Sequence, residues 1–171
     1  LYRNRGDGTF TDVTEQAGVG DANWGVGCAF LDYDNDGQLD LYVANYVDFT
    51  LQEPRGSRVP YMPMGAGRKA LMNVTAYPHP DGFGGVPDVL YRNRGDGTFT
   101  DVTRQAGVFN PGGKGMGMAC SDYDRDGDMD IYVGNDLTPN FLYRNEGDGT
   151  FTEVALMAGV AYNEDGKTES S

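Results

Sequence analysis

The chain has 171 residues, a formal net charge of −13 and 26 glycines. No basic patch interleaved with aromatic residues occurs, which argues against nucleic acid as a partner. No run of 18 apolar residues occurs, so the sequence predicts no membrane-spanning helix. No sustained helical periodicity of apolar residues occurs either, so we expect no long helix. The length suits one domain or part of a larger one.

The chain opens on a motif that recurs twice. Leu-Tyr-Arg-Asn-x-Gly-Asp-Gly-Thr-Phe-Thr-x-Val begins at Leu1, Leu90 and Leu142, and Ala-Gly-Val follows each copy. The two arms of the motif predict short strands, and Gly-Asp-Gly between them predicts a hairpin turn that tolerates positive φ. Arg-Gly-Asp in the first two copies also spells a tripeptide known from integrin ligands. Because the third copy has Glu146 in place of the arginine and keeps only Gly-Asp-Gly, we interpret the segment as a turn.

Between the first two motifs lies an acidic loop, Asp-Tyr-Asp-Asn-Asp-Gly-Gln-Leu-Asp at 32–40 (loop one), which returns in similar form at 122–130 (loop two). Each copy has carboxylates at positions 1, 3, 5 and 9 and glycine at position 6. Two like charges about 4 Å apart repel by roughly 4 kcal/mol at an effective dielectric constant of about 20, and a hard cation removes that cost. The candidate metal ligands are Asp32, Asp34, Asp36, Gln38 and Asp40 in loop one and Asp122, Asp124, Asp126, Asp128 and Asp130 in loop two, with Gln38 and Asp128 offering their backbone carbonyls.

The ligand set consists of oxygens, without histidine or cysteine, so it favours Ca2+ over Zn2+ or Cu2+. Mg2+ prefers a stricter octahedron and retains more water. An EF-hand requires an acid at position 12 and flanking helices, whereas position 12 here is Val43 or Val133 and the flanking segments are typical of strands. We therefore expect each ion, two in all, to bind in a strand-to-strand turn. The alternative is an acidic surface turn without metal, and the repetition of the loop in register favours Ca2+.

One repeat unit predicts four short strands: one before the acidic loop, one after it, and the two arms of the motif. A unit of roughly 50 residues has the size of a β-propeller blade. We assign 1–47 to the first unit, 88–141 to the second and 142–171 to the start of a third. The spacing from motif to loop places a third acidic loop beyond residue 171, so we expect the chain to be a segment of a longer array.

Residues 48–87 form an insertion in the first unit, with six of the eight prolines of the chain. We expect a long ordered loop that projects from one face, either as a contact surface for a protein or glycan partner or as a cover for a sheet edge. It also contains a glycosylation sequon at Asn73 and the single histidine, His79, which we expect at the surface. Its basic residues are Arg55, Arg58, Arg68 and Lys69, and aromatic residues Tyr61, Tyr77 and Phe83 accompany them.

The two cysteines, Cys28 and Cys120, lie on predicted strands of different repeats. Because these strands belong to different repeats, no disulfide is implied. We expect buried free thiols.

The acidic loop followed by Leu-Tyr-Val or Ile-Tyr-Val and then by the recurrent motif resembles the FG-GAP/VCBS repeat family, the blades of integrin-α-like β-propellers. More narrowly, the segments at 135–145 and 159–167 are similar to the secreted ASPIC/UnbV-type proteins, which are related to the acidic cartilage protein. The resemblance covers nearly all of 1–171. It implies an all-β propeller of about seven blades, each with four antiparallel strands, secreted or at the cell surface, with Ca2+ in the blade loops at the positions given above.

No catalytic constellation can be assembled from these residues. A single histidine beside prolines argues against a Ser/His/Asp triad, and the paired acids lie in the metal loops rather than across a glycosidase cleft. We therefore expect a non-enzymatic, extracellular or periplasmic calcium-binding module for adhesion to protein or carbohydrate, in which Ca2+ is structural. Two alternatives remain open: a component of an extracellular filament or sheath, with self-assembly, and a non-catalytic part of a secreted enzyme.

Overall fold

The computed structural model describes residues 1–49 and 80–168. Most of the insertion, with Asn73 and His79, lies outside this range. The described part contains ten short strands and two four-residue helices, together with a 3-10 turn at Pro80–Gly82. The strands are β1 Tyr2–Asn4, β2 Phe10–Asp12, β3 Gly25–Leu31, β4 Asp40–Asn45, β5 Val89–Asn93, β6 Phe99–Asp101, β7 Gly115–Ser121, β8 Asp130–Asn135, β9 Phe141–Asn145 and β10 Phe151–Glu153; the helices are α1 Thr14–Ala17 and α2 Ala155–Ala158.

The strands form three antiparallel sheets, which confirms the all-β class. Sheet one contains β1 and β2, sheet two has the order β3-β4-β5-β6, and sheet three has the order β7-β8-β9-β10. Each acidic loop connects two adjacent strands of one sheet, as predicted, and each copy of the recurrent motif forms a hairpin. Within the described residues no helix is long and apolar enough to span a membrane.

The sheets are offset from the sequence units. The first strand of the motif that begins at Leu90, β5, pairs with β4, the strand before it in the chain. The register is Leu41↔Tyr91 and Tyr42↔Leu90. Sheets two and three consequently span 25–101 and 115–153, which cuts across the units assigned at 1–47, 88–141 and 142–171. The reason is that β4 has one free edge after pairing with β3, and the next strand in the chain takes that edge.

The first strand of each four-stranded sheet carries a β-bulge near its start. The register shifts between Gly25 and Gly27 in β3 and between Gly115 and Gly117 in β7. Glycine is common at such irregularities because it has no side chain to obstruct the bend. The strands predicted before the acidic loops are thus present, at Gly25–Leu31 and Gly115–Ser121, with an irregular first turn of pairing.

The main hydrophobic core lies between sheets two and three. Its completely buried members include Tyr42, Leu90, Ile131 and Val133. Burial of each of the aliphatic side chains in this set contributes about 1.5–3 kcal/mol to the stability of the fold. The core brings the two sheets together, and with them the two acidic loops. The buried members of the core are Leu31, Tyr33, Tyr42, Ala44, Leu90, Val102, Ala106, Val108, Ile131, Val133, Tyr143 and Phe151.

A smaller cluster joins sheet one to the other face of sheet two. Ala17 of α1 and the following Val19 pack with Leu41 and Tyr91. Helix α1 ends at Gly18, which adopts the left-handed conformation with φ of 72°. The Ala-Gly-Val segment after the first hairpin thus turns the chain towards sheet two.

Both cysteines are free, as predicted, but their burial differs from the prediction. Cys28 is exposed and Cys120 is half-buried. Cys120 packs against the core between sheets two and three, and burial raises the pKa of its thiol to about 11. Cys28 lies on the first strand of sheet two, opposite Val43, on the face towards sheet one, and it stays exposed there.

Candidate metal centres

Three carboxylates converge in each acidic loop. In loop one, Asp32, Asp34 and Asp40 each present an oxygen, and these oxygens lie within 4.8 Å of one another. Loop two repeats the arrangement with Asp122, Asp124 and Asp130. Six of the predicted ligands, at positions 1, 3 and 9 of the two loops, are therefore brought together.

The first acid of each loop organises the backbone. Asp32 accepts hydrogen bonds from the N–H groups of Asp36 (3.1 Å) and Gly37 (3.0 Å), one at each carboxylate oxygen. Asp122 accepts the equivalent bonds in loop two, each of 3.1 Å. Gly37 has a φ of 83°, which explains the glycine at position 6. Both oxygens of Asp32, and Oδ2 of Asp122, retain a second lone pair for a cation, whereas Oδ1 of Asp122 also accepts the N–H of Arg125 at 2.7 Å.

The last acid of each loop is buried at the start of a strand. Asp40 accepts hydrogen bonds from the N–H groups of Asn93 (2.7 Å) and Tyr33 (3.1 Å). Burial raises its pKa to about 6, the two N–H groups oppose this rise, and the charges of Asp34 and Asp36 add to it. The corresponding bonds to Asp130 come from Asn145 and Tyr123, at 2.8 and 2.9 Å, and burial again raises the pKa. Buried carboxylates with raised pKa values are stabilised by a neighbouring cation.

The third position supplies a test of whether a cation fits loop one. Asp34 Oδ1 is buried and has no hydrogen-bond partner among the residues that the structure describes. An unpaired buried carboxylate oxygen is costly, because it has lost water without gaining a donor. A hard divalent cation bound among the three carboxylates would give this oxygen a partner by coordinating it, and the all-oxygen donor set suits Ca2+. The residues present therefore fit the predicted ion.

The acid at the fifth position of each loop lies outside the trio. Asp36 Oδ1 accepts the N–H of Gln38 at 2.8 Å, and Asp126 Oδ1 accepts the N–H of Asp128 at 2.9 Å. Such local side-chain bonds are common for aspartate in turns. Neither acid belongs to the converging trio, although the second oxygen of each carboxylate remains available to a cation.

The seventh position faces the recurrent motif with its side chain. A Cβ atom at Gly95 would lie only 2.5 Å from Oε1 of Gln38, so this side chain rests directly on the Gly-Asp-Gly turn. Asp128 occupies the same place beside Gly147. In addition, Asp128 Oδ1 accepts a hydrogen bond of 2.6 Å from Asn35 Nδ2 of loop one. The predicted role of Gln38 and Asp128 as carbonyl ligands is thus joined by a side-chain contact that sequence reasoning missed.

The asparagine of the recurrent motif is a second residue that sequence reasoning missed. Asn93 donates its backbone N–H to Asp40, as described above, and its side-chain amide donates to the carbonyl of Leu39 at 2.9 Å. Asn145 makes the equivalent bond to Met129 at 3.2 Å. Each asparagine therefore ties the hairpin to the acidic loop of its own sheet. Its recurrence at one place in all three motifs is the signal that could have indicated this role.

The Gly-Asp-Gly turns use their aspartates internally. Asp7 Oδ1 accepts both the hydroxyl and the N–H of Thr9, at 2.6 and 2.9 Å, and Asp96 and Asp148 form the same pair of bonds. The hydroxyl bond is the largest cause of the lowered pKa of Asp7. The turn interpretation of Arg-Gly-Asp agrees with this geometry.

The FG-GAP-like repeat profile matches residues 1–43, 81–133 and 122–168. Cartilage acidic protein 1 of Homo sapiens is 49% identical over 57 residues, which cover 33% of this chain and 9% of that protein. The Mus musculus protein is 46% identical over 57 residues, with the same coverage, and the Xenopus tropicalis protein is 36% identical over 74 residues, or 42% of this chain. The matches thus span 9–11% of the length of these relatives. Because the repeat profile matches well over half of the chain, this protein belongs to the FG-GAP-like repeat family.

Proposed function

We propose that this chain is a calcium-binding repeat module of an extracellular protein, in which two structural Ca2+ ions stabilise the acidic loops. The observation that carries the proposal is the pair of equivalent carboxylate trios, one of which includes a buried and unpartnered oxygen of Asp34. A single acidic turn is a common surface feature. Two equivalent turns that share two backbone bonds to the first acid and a buried last acid are better explained by a shared ligand.

The donor set favours Ca2+ over smaller ions. Each loop offers the trio, a second carboxylate oxygen at position 5 and the backbone carbonyl at position 7, and Ca2+ accepts six to eight oxygens in flexible geometry. When bound, the ion supplies positive charge that offsets the repulsion among the carboxylates. The protein fixes the first acid through the N–H groups of Asp36 and Gly37 and the last acid through those of Asn93 and Tyr33.

We further propose that sheets two and three are neighbouring blades of a β-propeller of about seven blades. Their extensive mutual core and their equal strand order support this arrangement. The resemblance to the secreted ASPIC/UnbV-type proteins supports a secreted or surface location, and calcium modules outside the cell bind with affinities of about 10⁻⁴–10⁻³ M. Its role is adhesion to a protein or carbohydrate partner rather than catalysis.

The test compares calcium binding and melting of the chain with those of Asp34→Asn and Asp124→Asn. We expect isothermal titration to give two ions for the parent chain, one for each single variant and none for the double variant. At a calcium concentration ten times Kd, each site adds about 1.4 kcal/mol of stability. Each site should therefore raise Tm by about 3–6 °C in a domain of this size.

Asp165→Asn is the charge-matched control, since this exposed acid lies outside both loops. This variant should still bind two ions, and excess chelator should lower its Tm as much as it lowers that of the parent chain. A melting curve of the parent chain that does not move on chelation would refute the proposed function. Replacement of Ca2+ by Mg2+ at equal concentration should give a smaller rise in Tm, because Mg2+ dehydrates reluctantly.

A further inference from the structure

Two hydrogen bonds join loop one to sheet three across the sheet boundary. Asn35 Nδ2 donates to Asp128 Oδ1 at 2.6 Å, and Asn145 Nδ2 donates to the backbone carbonyl of Tyr33 at 2.7 Å. Asn35 and Tyr33 belong to loop one, Asp128 belongs to loop two, and Asn145 ends β9 beside loop two. The two candidate metal sites are therefore in direct contact through side chains of the loops and of the motif.

The bond from Asn145 belongs to a continuous chain of hydrogen bonds between candidate ligands. Asp40 of loop one accepts the N–H of Tyr33, whose carbonyl accepts the amide of Asn145. The backbone N–H of Asn145 then donates to Asp130 of loop two. Asn145 is only 1% exposed, so water does not compete for these bonds.

The bond from Asn35 connects the two turns nearer to the solvent. Asn35 occupies position 4 of loop one with a positive φ of 57°. Its acceptor, Asp128, occupies position 7 of loop two, where the backbone carbonyl is a candidate ligand and the N–H donates to Asp126. When one turn becomes more or less ordered, a single hydrogen bond therefore transmits the change to the other turn.

We propose that the two loops bind calcium cooperatively through these bonds, an inference that rests on the proposed function. An ion bound in one loop fixes Tyr33 and Asn35, or Asp128 and Asn145, and so removes part of the ordering cost for the second ion. Charge opposes this effect, since the first ion reduces the negative potential at the other loop. At physiological salt that repulsion is screened over about 8 Å, whereas the hydrogen bonds act by contact.

The chain contains a matched control for the Asn35 bond. Arg125 occupies position 4 of loop two with a φ of 68°, similar to that of Asn35. Glycine tolerates positive φ at both positions. Asn35→Gly removes the bond between loops and keeps the backbone conformation, whereas Arg125→Gly makes the same backbone change without removing that bond.

The experiment measures, by isothermal titration at 0.15 M salt, how much disabling loop two with Asp124→Asn weakens calcium binding at loop one. In the parent chain we expect a loss of about fivefold or more. The loss should be smaller in Asn35→Gly and unchanged in Arg125→Gly. In Asn35→Gly combined with Asn145→Ala, the affinity of loop one should no longer depend on loop two, and Asn35→Gly alone still tests the proposal if the double variant does not fold.

The outcomes separate this inference from the proposed function. Two ions that bind independently in the parent chain would overturn cooperativity and leave the proposed function intact. An undiminished loss in Asn35→Gly combined with Asn145→Ala would also overturn it, because neither bond between the loops would then carry coupling; if that variant does not fold, equal losses in Asn35→Gly and Arg125→Gly would overturn coupling through the Asn35 bond. Absence of calcium binding in the parent chain would refute the proposed function and this inference together.

Discussion

Nε of Arg92 lies 3.9 Å from Oδ2 of Asp34, whereas Arg144, at the same place in the next motif, pairs with Glu146 at 2.7 Å. The difference follows from one position in the motif, which is Arg94 in one copy and Glu146 in the other. A cation therefore lies beside the carboxylate trio of loop one, while the equivalent cation near loop two is paired with an acid.

We expect Arg92→Gln to strengthen calcium binding at loop one by about two- to fivefold, because it removes a positive charge close to the bound ion. The effect is modest because the Arg92 side chain is 49% exposed and solvent screens its charge. Titration of each variant in the Asp124→Asn background, where loop two is disabled, isolates loop one.

Arg144→Gln, titrated in the Asp34→Asn background, is the matched control for loop two. It should change calcium affinity by less than about twofold, since the bond to Glu146 holds the Arg144 side chain and, in the described part of the chain, no ion pair joins it to the trio of loop two. An equal gain from the two substitutions would show that pairing with Glu146 does not matter, and a loss of affinity in Arg92→Gln would show that Arg92 supports Asp34 rather than competing with the ion.

A second prediction concerns the pH dependence of stability and depends on Asp88. This carboxylate is 2% exposed and accepts the hydroxyl of Tyr42 at 2.8 Å and the N–H of Asn45 at 2.7 Å. Burial raises its pKa to about 6 although both bonds lower it. The folded state therefore holds this proton more tightly than the unfolded state, so the contribution to stability is present below about pH 4 and is lost as the pH rises through 6.

Asp88→Asn should remove this pH dependence. Relative to the parent chain, the variant should gain about 2 kcal/mol in the free energy of unfolding between pH 4 and pH 7. Urea denaturation in chelator measures this difference, and contributions from the metal loops cancel between the two proteins. Tyr42→Phe should shift the transition to higher pH, because it removes a bond that lowers the pKa. A constant difference between Asp88→Asn and the parent chain at all pH values would contradict the assignment.

Features that depend on local pattern could be predicted from the sequence. The alternation of carboxylates with a glycine at position 6 indicated two metal loops, and the β-branched runs after Asp40 and Asp130 indicated strands rather than the helices of an EF-hand. The structure confirms the strands at both places. These features involve neighbouring residues, so the sequence order carries most of the information.

Features that depend on which strand packs beside which could not be predicted. The free edges of β4 and β8 decide that the second and third motifs join the strands that precede them, and the amide of Asn145 reaches Tyr33 only because two sheets pack together. The prediction that Cys28 is buried was wrong for the same reason. The place of a residue on a strand defines a face of the sheet, but not how much of that face another sheet covers. The bond from the N–H of Gln38 to one carboxylate oxygen of Asp36 was likewise not predicted, because the order of ligand types does not specify such local bonds.

The last prediction tests how closely sheet three approaches the end of sheet two. Gly107 and Gly159 both follow alanine in an Ala-Gly-Val segment, with φ of 81° and 75°. An added Cβ at Gly107 would lie 2.9 Å from the carbonyl oxygen of Phe151, whereas at Gly159 it would meet open space. The N–H of Phe151 donates to Ala106 at 2.8 Å, so this carbonyl cannot withdraw without weakening the contact between the sheets.

Alanine should therefore destabilise the protein at both positions, but more at Gly107. Each substitution places alanine at positive φ, at a cost of about 1–2 kcal/mol. Gly107→Ala should add about 1–3 kcal/mol for the forced contact, as in other overpacked sites. Urea denaturation of the two variants in calcium gives the difference directly. Because the backbone cost is common to both, equal losses of stability would mean that Phe151 can move aside freely and that the two sheets are less tightly joined at this edge than their hydrogen bond indicates.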